Sequence, residues 1–129
     1  MSLEKDFVPY QQSFDMKSIG FDEECFAYYY NKELSFGARI AYGEVIESPL
    51  YQQAFSFFRE KYKLEGLILP QDKGAIIDEE PIYFIAIISY KNNKMEELFN
   101  STNKETLLHY NPREGAEFAC LCKLIEIVK

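Results

Sequence analysis

Three cysteines, one histidine and two acidic runs are the residues of this chain whose types could do chemistry. Cys120 and Cys122 form a C-x-C pair, which suggests thiolate ligation of a metal. Two residues apart on a helix project about 200° apart, however, so the pair cannot share one ion and is expected to be buried as small apolar side chains. Cys25 stands between Glu24 and Phe26, with no adjacent base to favour a thiolate, so a core or turn role is expected. His109 is the only histidine, which excludes any site needing two; a Cys25–His109 dyad is a pairing the sequence allows on paper. The plain expectation for His109 is a surface or turn position ahead of the last helix. Neither Asp22-Glu23-Glu24 nor Asp78-Glu79-Glu80 has the alternating acids, central glycine and closing glutamate of a calcium loop. The six glycines are scattered and form no phosphate loop. These residues assign no catalytic, metal-binding or cofactor-binding position.

The elements that must position these residues are legible to different degrees. The final segment, NPREGAEFACLCKLIEIVK, carries the strongest local signal: Asn111 as N-cap, Pro112 at the first helical position and Glu114 completing a capping box. Phe118, Leu121, Leu124, Ile125, Ile127 and Val128 point in too many directions for one stripe. Such a helix, about 27 Å long, is expected to be buried on two sides, between a sheet and another helix or a partner chain. A homo-oligomer through this C-terminal helix is the corresponding expectation.

Upstream, residues 9–19 predict a short helix closed by Gly20 and Phe21 in a Schellman stop. Residues 25–30 and 34–36 predict strands around an Asn31-Lys32 turn, with another strand over 38–46. Ser48-Pro49 predicts the start of an amphipathic helix. Leu50, Tyr51, Ala54, Phe55, Phe57, Phe58 and Tyr62 lie on its apolar arc, and only Lys61 intrudes. Residues 66–69 and 81–90 predict an antiparallel pair, the second strand too continuously apolar for one face to be fully wet. Asn93 and Glu96 predict a capped short helix through Phe99, and residues 106–110 a short strand.

The expected fold class is α+β, a single domain over 1–129 with an antiparallel sheet of three to four strands packed against two main helices and a short N-terminal helix. Acidic residues outnumber basic ones 21 to 14, so a phosphate backbone would be repelled unless the bases gathered on one face. No apolar run approaches the ~20 residues of a membrane span, and no leader is apparent, so a cytoplasmic protein off the membrane is expected. Sparse cysteine use fits a reducing compartment.

Three blocks, GFDEECFAYY (20–29), SPLYQQAFSFFREKYKL (48–64) and GAEFACLCKLIEIVK (115–129), together resemble a group of small proteins found in bacteria and their phages. That group carries GFDEPCF-, AFxWFREKY- and AELACLKKLIEIV-like segments. The resemblance brings no activity, cofactor or catalytic residue to these positions. Phe57 stands in place of the tryptophan and Glu24 in place of the proline, and the loop between Leu69 and Pro81 is longer than the pattern. A second likeness is one of order only: helix, hairpin strands and a closing Ala-rich helix echo double-stranded-RNA-binding domains. Those domains place bases at the start of the last helix, where this chain has Arg113 beside Glu114.

Two surface features are expected to meet a protein partner: the polar helix arc with Gln52, Ser56, Arg59 and Lys63, and the apolar pair Ile76 and Ile77 within a long acidic loop. The leading expectation is a non-enzymatic interaction or accessory domain. The alternatives are a nucleic-acid-associated protein of a mobile element or phage, which the acidic balance disfavours, and an enzyme of unfamiliar type.

Overall fold

The computed structural model describes residues 3–37, 44–70, 76–77, 80–81, 83–101 and 113–129. After a 3-10 turn at Leu3–Asp6 comes α1, Tyr10–Ser18. It ends in the predicted Schellman motif. Gly20 takes φ +107°, its N–H donates to Lys17 O, and the Phe21 N–H reaches back to Met16 O. Phe21 and Met16 are both buried, which supplies the apolar contact of that motif.

Strands β1 (Ala27–Tyr30) and β2 (Glu33–Phe36) form a two-residue hairpin. Asn31 and Lys32 both take positive φ, 52° and 65°, as a turn matched to strand twist requires. The next strand, β3, is Ile46–Ser48, which shares only Ile46 with the predicted 38–46 segment; residues 38–43 lie outside the described residues. It pairs with β1 to give the order β2-β1-β3. The Val8 carbonyl is a fastening point: the hydroxyls of Ser13 (3.0 Å), Tyr29 (3.2 Å) and Ser48 (2.8 Å) all donate to it. Ser48→Ala leaves two donors on that oxygen. The expected loss is on the order of 1 kcal/mol by urea unfolding, and a loss several times larger would contradict this sharing.

The amphipathic helix α2 runs Tyr51–Tyr62, two residues later than a start at Ser48-Pro49 predicts. Ser48 is paired with Ala27 in β3 and its hydroxyl is held by Val8, so it does not cap; the Gln53 side chain instead accepts the Leu50 N–H at 3.1 Å. Tyr51, Ala54, Phe57 and Phe58 are buried as the arc predicts. Lys61 reaches out as its position demands. Its ammonium lies over the Phe57 and Tyr62 rings and donates to Ile19 O, and the Tyr62 hydroxyl donates to the same carbonyl.

Strand β4 (Leu64–Pro70) pairs antiparallel with β7 (Tyr83–Ser89), as expected; between them β5 (Ile76–Ile77) and β6 (Glu80–Pro81) pair with each other. The predicted helix from Asn93 to Phe99 is instead a strand, β8, Glu96–Asn100. Asn92 and Asn93 adopt φ 57° and 58° and turn the chain back, and β8 then satisfies the second edge of β7, giving the order β4-β7-β8. The architecture is thus two three-stranded antiparallel sheets with helices, more strands than expected. The predicted strand at 106–110 and the Asn111-Pro112 cap lie outside the described residues.

Helix α3, Arg113–Val128, packs on β4 and β7, with α2 and α1 also against it. Ala116, Cys120, Leu121, Leu124 and Ile125 are buried, and a Lys129–Asp15 ion pair (3.0 Å) ties its end to α1. The apolar excess of this helix is therefore met largely within one chain, with Phe118 its exposed large apolar residue.

Candidate functional site

The cysteines separate as helical geometry requires. Cys120 is fully buried against β4, where burial pushes its thiol up to about 12. Cys122 is half-buried toward α1; burial raises its thiol, against a hydrogen bond with Gln12. Cys25 is buried, its Sγ 3.4 Å from Glu23 O and its N–H donating to the Glu47 carboxylate at 2.7 Å. His109 lies outside the described residues, as do Asp78 and Glu79. Tyr51 is held above the usual phenol range, first by burial and then by Cys122 and Glu117, so its hydroxyl stays neutral. Among the described residues no three His, Cys, Asp or Glu side chains come together as a metal group, and no helix is long and apolar enough to cross a membrane.

The polar helix arc does not stand as two free positive charges. Gln52 is exposed and Ser56 half-buried, but Arg59 Nε donates to Glu65 Oε2 at 2.6 Å, and Lys63 Nζ donates to Glu60 O. Lys63 also carries the left-handed residue that ends α2. Ile76 and Ile77 form β5 and extend the hairpin connection rather than leaving it irregular. A depression of about 520 Å³ is lined by Lys17, Gly20, Phe21, Asp22, Val45 and Glu47. Two of its charged groups are engaged nearby: Lys17 pairs with Glu44 and Glu47 accepts the Cys25 N–H.

A different surface emerges from the register of β4 and β7. The residues Leu64, Gly66 and Ile68 alternate inward, opposite Ser89, Ile87 and Ile85, onto the core that α2 and α3 cover. The intervening residues form the other face in three rows: Glu65 opposite Ile88, Leu67 opposite Ala86, and Leu69 opposite Phe84. From β8, Glu97 joins the first row and Asn100 the second. Ala86 is buried between its neighbours, Leu67, Phe84 and Ile88 are half-buried, and Leu69 is 47% exposed. Leu98, at a register shift, is exposed as well. The face is graded, apolar where Leu69 and Phe84 sit and acidic at Glu65 and Glu97, with Asn100 Nδ2 donating to Glu97 at 3.2 Å.

Sequence reasoning missed this face. The apolar strand over 81–90 is legible, but its half-open side follows only from the pairing with β4 and from both main helices lying on the opposite side. Between α2 and α3 the described chain runs through β4, β5, β6, β7 and β8, five strands rather than the three of the double-stranded-RNA-binding order. At the start of α3, Glu114 pairs with Lys5 at 3.5 Å. No family model matches the chain, and no curated protein or solved structure matches it.

Proposed function

We propose that this protein is a non-enzymatic protein-interaction domain whose docking surface is the outer face of β4, β7 and β8. The observation that carries the reading is the pairing of Leu69, 47% exposed, with Phe84 on a sheet face opposite the helices. The apolar part of this face is small, so Leu69 and Phe84 serve as the anchor of a contact and not as a large hydrophobic patch. The acidic surplus keeps the remaining surface solvated and steers association toward a partner of opposite charge.

The test is affinity capture from source cells with the tagged full chain, read by quantitative mass spectrometry beside Leu69→Asp and Arg59→Ala. A partner retained by the native chain and by Arg59→Ala is expected to fall at least tenfold with Leu69→Asp. Equal recovery with Leu69→Asp would remove this face from the reading. Loss with Arg59→Ala instead would return the interface to the polar arc of α2.

A further inference from the structure

We infer that the outer face of β4-β7-β8 takes a short amphipathic segment of another protein, an apolar stripe with lysine or arginine residues at one end. This rests on the interaction reading above and adds the chemistry of the partner.

Size selects the kind of occupant. Three strands at the usual spacing are about 14 Å across, and the five positions Glu65 to Leu69 run about 17 Å along them, on the order of 240 Å². A stable interface between globular surfaces needs roughly 800 Å² from each partner. The face is too small for a second folded surface to hold by it alone. A helix of about eleven residues spans 17 Å, and such a helix is about 10 Å across, so one apolar stripe covers the rows Leu69–Phe84 and Leu67–Ala86.

Charge selects the composition and the direction. The row Glu65–Ile88–Glu97 closes one end of the face with two carboxylates. Arg59 compensates Glu65, whereas Glu97 is exposed and meets only the neutral amide of Asn100 among the described residues of the face, and the chain as a whole carries −7. An acidic segment would meet this charge at both short and long range. A basic end placed over Glu97 gains from it, while the apolar residues lie toward Leu69 and Phe84. A second copy of the chain would bring a like-charged surface and gains nothing from this gradient.

The probes are three fluorescein-labelled synthetic peptides sharing one helical leucine stripe and differing only in a terminal cluster of lysines, serines or glutamates. Binding to the full chain is read by fluorescence anisotropy. The lysine peptide is expected to bind at least tenfold more tightly than the glutamate peptide. Leu69→Asp is expected to weaken it at least tenfold although it adds a negative charge, and Glu97→Gln to weaken it about threefold with a flatter salt dependence. Circular dichroism of the variants checks that they fold, which the exposure of both sites favours. Lysine-peptide binding that is equal or stronger with Leu69→Asp would show mere adhesion to an acidic chain and overturn the inference. So would equal binding of the glutamate peptide, or no binding of any peptide. Sedimentation showing a dimer of the free chain that Leu69→Asp abolishes would also overturn it, by giving the face to a second copy, yet would leave the interaction reading standing.

Discussion

Phe58→Ala is expected to lower the unfolding free energy by about 3–5 kcal/mol. Phe58 is fully buried in α2, and its ring meets Phe57 edge-on at 5.3 Å and Tyr62 at 6.1 Å. Truncation removes the transfer energy of the ring and leaves a void that these neighbours cannot collapse into, because each is already held elsewhere. Phe57 packs edge-on against Phe21 at 5.3 Å, and the Tyr62 hydroxyl is fixed on Ile19 O. Against the ~5–15 kcal/mol typical of a domain, such a loss leaves little. Urea unfolding is the measurement, with the midpoint falling and the slope unchanged. Phe58→Leu, which keeps most of the volume, is expected to cost less than half as much. A Phe58→Ala loss below about 1.5 kcal/mol would mean that this aromatic cluster is not the centre of the core.

What could be seen in advance followed from how locally each signal was determined. The Gly20-Phe21 stop, the Asn31-Lys32 turn and the apolar arc of α2 are set by residues within a few positions of one another, and the structure has all three. Ser48 and Asn93 depart from their local signals for a common reason. Each has a side chain that can cap a helix, but each backbone answers to a distant strand: Ser48 pairs with Ala27, and the turn at Asn92-Asn93 serves the pairing of Glu96 with Ser89. Pairing between remote strands leaves no trace in a local window. The same limit hid the candidate surface. Leu67, Leu69, Phe84 and Ile88 look like ordinary core residues along the chain, and only the register and the placement of α2 and α3 put them on the far side. The separation of Cys120 from Cys122, by contrast, needed nothing beyond helical geometry.

Gly66→Val is expected to cost about 3 kcal/mol, because a close approach of sheet to helix depends on the missing side chain. A Cβ built at Gly66 would stand 2.8 Å from Cys120 Sγ, 3.2 Å from Leu124 Cδ1 and 3.7 Å from Phe55 Cδ1. Cys120 and Leu124 are both fully buried on α3, so neither can swing aside. The single methyl of Gly66→Ala meets the same two atoms but also restricts the unfolded chain, which offsets about 0.4–1 kcal/mol, leaving a net loss of roughly 1 kcal/mol. A double-mutant cycle separates the causes. Cys120→Ala removes the nearest atom, so Gly66→Ala is expected to be at least about 1 kcal/mol less harmful in that background than in the native chain. Equal costs in the two backgrounds would show that the glycine is needed for its backbone rather than for room. The expected coupling also bears on the outer face: α3 holds β4 and β7 by their inner residues Gly66, Ile85 and Ile87, and the same contact sets Leu67, Leu69 and Phe84 outward. Peptide binding measured on Gly66→Ala at a temperature where it remains folded should therefore weaken, although no residue of the docking face has been changed.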